Sequence, residues 1–139
     1  DDLLVRFAGC CNPVPGDNII GYISRGRGVT IHRADCTNMK NIPPERLLKA
    51  TWAEDITESS KFKVSFRITC MDKYGMIGSI SATIGNLKYS IQQMNASVNT
   101  KKKEAVINIV IEIKSLSDVD LLMKKIMEID GVYDVERNH

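Results

Sequence analysis

The chain of 139 residues has no apolar run that approaches the ~20 residues needed for a membrane-spanning helix. It also lacks a signal-like apolar region, and it begins with Asp1 and Asp2 rather than with a methionine. These absences argue against a membrane-spanning or secreted protein. They predict a piece of a longer cytoplasmic polypeptide, whose catalytic centre could lie on another part of the parent protein.

The chain contains few cysteines and carries little net charge. The four cysteines, without a secretory segment, predict a reducing compartment rather than a disulfide framework. A net charge of +2 argues against a general electrostatic attraction to nucleic acid. The charge is uneven, however, because Arg25, Arg27 and Arg33 follow Gly21 without any acidic residue between them. Such a local basic patch can contact phosphate.

The second part of the chain has a regular pattern from Lys61 onward. Apolar and polar residues alternate in "KFKVSFRITC", "SIQQMNASVNT" and "AVINIVIEIK", which is typical of half-buried strands. Helical apolar stripes occur in "MIGSISATIGNLK" and "SDVDLLMKKIMEIDG", and "VYDVER" is a last short strand. The order βαββαβ predicts a ferredoxin-like sheet of four antiparallel strands with two helices on one face.

The first part of the chain is smaller and more irregular. We expect strands in "LLVRFA", "IIGYIS" and "GVTIHR", with "ATWAEDI" as a candidate fourth, and short helical turns in "DCTNMKNI" and "PPERLLK". The fold class is therefore α+β. We predict a mixed β/α cysteine module at 1–56, a polar linker at 57–60 and the ferredoxin-like domain at 61–139.

Metal-ligating residue types are grouped in the first module. Cys10, Cys11, His32 and Cys36 are residues that zinc prefers, and the last two have the spacing H-x3-C. The adjacent cysteines argue against a shared ion, because neighbouring side chains of an extended chain project to opposite sides. Two alternatives stay open. In the first, one of these cysteines binds zinc together with His32, Cys36 and either a water or Asp35. In the second, Cys10 or Cys11 simply packs in a small core.

The segment "SRGRGVTIHR" is a candidate for phosphate contact, since arginine forks suit phosphate oxygens and glycines allow a close backbone approach. In its strand, Val29 and Ile31 are expected to face inward, so Thr30 and His32 would face outward beside the arginines. Contact with structured RNA competes with the alternative of a solvated hairpin tip. A cysteine–histidine nucleophile is disfavoured, because no orienting third group is recognisable.

The long segment "GCCNPVPGDNIIGYISRGRGVTIHRADCTN" resembles the conserved-cysteine module, also called the zinc-finger-like or ribosome-intersubunit domain, of Rel/SpoT-type (p)ppGpp synthetase/hydrolases, the GTP pyrophosphokinases of the bacterial stringent response. The βαββαβ half resembles the ACT domain that ends the same proteins. This resemblance implies a regulatory fragment without catalytic residues of its own, which contacts the ribosome and deacylated tRNA through the parent protein.

The same resemblance implies roles for individual residues of the first module. RNA contacts would fall on Arg25, Arg27, His32 and Arg33. The shape of the module would be held by Cys10, Cys11 and Cys36.

The resemblance also implies a ligand site in the second domain, since ACT domains commonly pair and bind amino acids beside their first helix. The loop "MDKYGMIG" is similar to the family pattern, and a branched-chain amino acid is the expected ligand. Its candidate site residues are Asp72, Tyr74, Gly75, Met76, Gln93 and Asn95. The alternative is that Gly75 simply ends a strand and Asp72 caps the helix. A further alternative is an amino-acid-binding or dimerisation module without nucleic-acid contact.

Overall fold

The structure is a computed structural model that describes residues 4–24, 26, 28–53 and 61–138. It consists of two small sheets, each with four strands. The predicted linker at 57–60 lies outside the described residues. Within the described part of the chain, no helix is both long enough and apolar enough to cross a membrane.

The first sheet lies in the cysteine module and has the strand order β1-β3-β2-β4. Its strands are β1 (Val5–Phe7), β2 (Ile19–Ser24), β3 (Gly28–Arg33) and β4 (Leu47–Lys49), joined after β3 by two 3-10 turns at Thr37–Met39 and Pro44–Arg46. The strand β1 runs parallel to β3, and the other pairs are antiparallel. The three predicted strands and the two helical turns are confirmed.

The position of the fourth strand was predicted wrongly. Leu47 and Lys49 pair with β2, whereas the described residues of "ATWAEDI", 50–53, form no strand. Trp52 lies in this stretch and packs against other aromatic rings instead. Its ring stacks on that of Phe7 at 5.5 Å between centroids and meets the edge of Phe62 at 5.5 Å.

The second domain has the predicted ferredoxin-like arrangement. It contains β5 (Phe62–Met71), α1 (Met76–Asn86), β6 (Ser90–Asn99), β7 (Glu104–Ile113), α2 (Leu116–Met127) and β8 (Val132–Arg137). All pairs in its sheet are antiparallel, in the order β6-β7-β5-β8. The alternation along β7 is confirmed, because Ala105, Ile107, Ile109, Ile111 and Ile113 are all buried against the helices.

The two units share an apolar interface. Val14 belongs to the cysteine module by sequence, yet it is fully buried within the core of the second domain. Nearby, Phe62 at the start of β5 packs edge-on against Phe7 and Trp52 of the first module. Gly16 has φ +108°, and a Cβ there would lie 2.7 Å from the Cβ of Leu116, so the close approach of the two units requires glycine.

A buried ion pair completes this interface. The Arg137 guanidinium at the end of β8 donates two parallel hydrogen bonds to the Asp17 carboxylate, at 2.9 and 2.8 Å. It also donates to the Asn12 carbonyl at 3.0 Å. The side chains of Arg137 and Asp17 are only 11% and 8% exposed. Removing one partner of such a buried pair costs about 3–5 kcal/mol, because the remaining charge is left unpaired.

Candidate functional site

The four metal-ligating side chains of the first module converge on one point. The ligand atoms of Cys10, Cys11, His32 and Cys36 all lie within 4.8 Å of one another. The Cys10 Sγ lies 3.4 Å from the His32 Nδ1 and 3.6 Å from the Cys36 Sγ, and the Cys11 Sγ lies 3.8 Å from the same Nδ1. We call these four residues the cysteine cluster.

The objection to the adjacent cysteines was wrong, since Cys10 and Cys11 lie in a turn rather than in an extended chain. The amide of Asn12 donates to the carbonyl of Ala8 at 3.1 Å, and Asn12 has φ +46°. This tight turn directs both thiols to the same side. Asp35 is not needed to complete the set and instead pairs with Arg33, with 3.3 Å between Nε and Oδ1.

Burial dominates the electrostatics of the cluster. It raises the pKa of the Cys11 thiol to about 12 and lowers the pKa of His32 below its usual value. Burial also works to raise the pKa of Cys10, but hydrogen bonds from Asn38, Cys36 and Cys11 outweigh it and leave that pKa lowered. The neutral imidazole is the form of histidine that binds metal.

The geometry of the cluster fits a tetrahedral zinc ion. Zn–S bonds of about 2.3 Å in a tetrahedron place neighbouring sulfur ligands about 3.8 Å apart. The separation of 3.6 Å between the Cys10 and Cys36 sulfurs lies close to that edge length. The two sulfur–nitrogen separations to His32, 3.4 and 3.8 Å, lie on either side of the roughly 3.5 Å that a Zn–N bond of about 2.0–2.1 Å would give. A donor set of three cysteines and one histidine is also one that structural zinc sites use.

The predicted outward orientation of His32 was wrong, and Arg33 is likewise withdrawn from the surface. Their exposed fractions are 8% and 3%. The turn at 9–12 covers β3 on the side of His32, and the Arg33 amide donates to the Cys11 Sγ at 3.3 Å. Both faces of β3 are covered at this end of the strand. Adjacent side chains are therefore both buried, and the alternation of the strand does not predict which of them is exposed. The predicted RNA-contact residues Arg25 and Arg27 lie outside the described residues.

The second domain contains an open cleft of about 270 Å³ at the predicted ligand loop. Gly75 starts α1 with φ +80°, a left-handed conformation that favours glycine. The first turn of α1 has no acidic residue and no side-chain cap. The Met76 amide donates to the Lys73 carbonyl at 3.3 Å, and the next two amides, of Ile77 and Gly78, have no acceptor within the helix. The alternative in which Asp72 caps this helix is therefore not what the structure has. The cleft is lined by Asp72, Tyr74, Gly75 and Met76 of the predicted site, together with Met71, Lys73, Ile77, Gly78, Ala96, Val98, Ala105 and Ile107.

Gln93 and Asn95 were predicted wrongly as walls of this cleft. A register shift between Ile91 and Gln93 places them opposite Val110 and Asn108, on the sheet face away from the helices. Their neighbours Ala96 and Val98 line the cleft instead. The alternation along β6 could have identified these two residues, because it places them on the face opposite to Asn95.

Comparison with known proteins agrees with both halves of this description. The family model described as the RelA/SpoT RIS domain matches residues 1–53, and the model described as the ACT domain matches residues 58–137. The second match alone covers more than half of the chain.

Similar proteins include the GTP pyrophosphokinases of Myxococcus xanthus, 39% identical over 137 residues, and of Haemophilus influenzae, 34% identical over 140 residues. Each alignment covers 99% of this chain but only 18% and 19% of the respective relative, so the chain spans about a fifth of their length. A solved ACT domain from the GTP pyrophosphokinase of Chlorobium tepidum has 29% identity and a TM-score of 0.49, covering 56% of this chain and 99% of that one. The chain thus belongs to the RelA/SpoT family, as the regulatory region in which a RIS domain is followed by an ACT domain.

Proposed function

We propose that this region senses starvation at the ribosome on behalf of a cytoplasmic GTP pyrophosphokinase, which makes and hydrolyses (p)ppGpp with domains outside this chain. The RIS domain contacts ribosomal RNA and deacylated tRNA. This contact favours one arrangement of the parent protein over another, and the distant active sites respond to that difference.

The construction of the β2–β3 hairpin supports this proposal. Its two strands pair from Ile19 with Arg33 up to Ser24 with Gly28, so the connection is only three residues long. Two of these three residues are arginines in the sequence. The base of the same hairpin is built into the cysteine cluster through His32. A cationic tip on an anchored base is suited to rigid docking on a phosphate backbone.

Ribosome co-sedimentation tests the proposal with the double variant Arg25→Glu and Arg27→Glu. We expect at least a tenfold loss of ribosome affinity, since two phosphate contacts are replaced by repulsion, and a shallower dependence of affinity on salt. The matched control is Arg6→Glu, an exposed arginine on the edge strand β1 of the same domain. Equal loss in both variants, or no loss in the double variant, would contradict the hairpin as the docking element.

We further propose that the cysteine cluster binds one structural zinc ion through Cys10, Cys11, His32 and Cys36. The ion would supply the cross-link that a small domain with a thin core otherwise lacks. Metal analysis of protein purified without chelators should give about one equivalent of zinc. A content below about a tenth of an equivalent would leave the cluster as a packed group of thiols.

The cleft of the ACT domain supports a second function, the binding of a branched-chain amino acid. The amides of Ile77 and Gly78 in the first turn of α1 suit the ligand carboxylate, and the Asp72 carboxylate suits its ammonium group. The apolar side chains of Ile77 and Val98 would contact the aliphatic part. Both are about half exposed, at 48% and 52%, and so are available for burial by a ligand.

Calorimetry with valine, leucine and isoleucine tests this function. Ala96→Phe should abolish binding, because Ala96 lines the cleft. Ser97→Phe is the matched control. Ser97 is adjacent to Ala96 in sequence but lies on the opposite face of β6, so this substitution should leave binding intact. Absence of heat at millimolar ligand in the unmodified chain would refute amino-acid binding.

Pairing of two ACT domains is the remaining part of the proposal. The strand β6 forms one edge of its sheet and has β7 as its only strand neighbour among the described residues. Its ten residues are long enough to pair side by side with a second copy. Sedimentation equilibrium should show a dimer, and a monomer at all concentrations would contradict this pairing.

A further inference from the structure

We infer that metal occupancy of the cysteine cluster and docking of the ACT domain on the RIS domain are thermodynamically coupled through residues 10–17, which we call the coupling segment. This inference rests on the proposed zinc site and adds a consequence for the ACT domain. The segment begins inside the cluster and ends inside the interface between the two domains.

The first end of the coupling segment is held by the cluster. Cys10 and Cys11 contribute two of its four ligand atoms. Cys11 also accepts a hydrogen bond from the Arg33 amide at 3.3 Å, which ties the turn to β3. A metal ion that binds both thiols would therefore fix the position and direction in which the chain leaves this turn.

The second end of the coupling segment is held by the ACT domain. The carbonyl of Asn12, the residue directly after Cys11, accepts a hydrogen bond from Arg137 at 3.0 Å. Farther along, Val14 is buried in the ACT core and Asp17 forms the bidentate pair with Arg137. Both anchors depend on where the cluster directs the chain.

The segment between these ends is short and stiff. Pro13 and Pro15 each restrict their own φ to about −65°. The turn at 14–17 is closed by two hydrogen bonds, from the Val14 amide to Asp17 Oδ2 at 2.8 Å and from the Asp17 amide to the Val14 carbonyl at 3.0 Å. A displacement of the cysteine turn is therefore passed to the interface and is not absorbed by a flexible linker.

The amide of Leu116 reports directly on this interface. It is the first residue of α2, so its N–H has no partner within the helix. It donates instead to the Pro15 carbonyl at 2.7 Å. Its hydrogen exchange should be at least tenfold slower in the zinc-loaded chain than in the metal-free chain. The amide of Ile109, in the middle of β7, serves as the internal control and should exchange equally in both states.

Because coupling is reciprocal, weakening the interface must also weaken zinc binding. Arg137→Gln should lower the zinc affinity about tenfold in competition with a chromophoric chelator. The matched control is Arg67→Gln, an exposed arginine of β5 that should leave the affinity unchanged. Emission from Trp52, the only tryptophan, reports whether the interface has opened, since its ring meets the edge of Phe62 of the ACT domain at 5.5 Å between centroids.

The outcomes separate this inference from the proposals above. The coupling would be overturned, but not the zinc site, if Arg137→Gln bound zinc with normal affinity and the exchange rate of the Leu116 amide were the same with and without zinc. A chain that binds no zinc would overturn the zinc site and the coupling together, without affecting the ribosome proposal. If Arg137→Gln does not fold, Leu116 exchange in the unmodified chain decides the question.

Discussion

The two domains of this chain are stabilised by different means. The ACT domain has a continuous aliphatic core in which Phe66, Ile80, Ile109 and Leu122 are completely buried. Among the described residues of the RIS domain, the buried apolar cluster around the turn consists of Ala8, Cys11 and Cys36, and the sheet adds the buried Val29 and Ile31. A core of that size removes little apolar surface from water, so it contributes little hydrophobic free energy.

This difference explains why the RIS domain depends on other groups. Its described thiols and imidazole are arranged at metal-binding distances, and one of its valines is inserted into the core of its neighbour. Apart from Val14, the buried core of the ACT domain is built from its own described residues. We therefore expect that the RIS domain can unfold while the ACT domain remains folded, but that the ACT domain cannot unfold while the RIS domain remains folded.

The largest expected effect is the loss of a cluster ligand. Cys36→Ala should abolish zinc binding and unfold the RIS domain, because metal binding in small zinc domains supplies about 10–16 kcal/mol of apparent free energy. Amide NMR signals of β5–β8 should persist while those of β2 and β3 collapse. Cys70→Ala is the control, since this buried cysteine lies in the ACT core and its loss should leave zinc binding intact. Loss of both sets of signals in Cys36→Ala would contradict independent folding of the ACT domain.

An intermediate effect is expected at the shared valine. Val14→Ala should lower the free energy of unfolding of the ACT domain by about 2 kcal/mol, because two buried methyl groups are removed and a cavity is left. Thermal or urea unfolding followed by an ACT-domain signal measures this change. Val5→Ala, at a residue that is 54% exposed, should have almost no effect. An unchanged ACT transition in Val14→Ala would mean that the interface does not contribute to ACT stability.

The smallest effect concerns pH and is confined to the ACT domain. Burial raises the pKa of Tyr89 to about 12, assisted by its hydrogen bond to Asp118 at 2.5 Å. The phenol of an unfolded chain ionises near pH ~10, so the stabilisation from Tyr89 is complete below that pH and is lost as the pH rises toward about 12.

Tyr89→Phe should therefore be less stable by about 1 kcal/mol near neutral pH and should lose less stability in alkali than the unmodified chain. Urea unfolding at several pH values measures both changes. The control is Tyr74→Phe, because Tyr74 is fully exposed and its loss should alter neither quantity. Identical alkaline profiles for Tyr89→Phe and the unmodified chain would show that this phenol does not contribute.

The sequence pattern was sufficient where one face of an element is buried and the other is not. The alternation along β7 predicted five buried residues correctly, because the helices cover only one face of that sheet. The same reasoning failed for His32, since the cysteine turn covers the second side of β3. Gln93 is a different case, because the alternation from Gln93 onward already puts it on the face opposite to Ala96 and Val98, which line the cleft.

Periodicity and turn chemistry therefore determined the order of the elements and the type of each domain, since those properties depend on residues a few positions apart. The convergence of Cys10 and Cys11 with Cys36, and of Asp17 with Arg137, was decided only by tertiary structure. These partners are separated by between 25 and 120 residues, and no local pattern records such a distance. These contacts form only when the two sheets and the stiff segment between them pack together. Packing depends on the balance between long-range contacts and loop-closure entropy, which a short window of sequence does not contain.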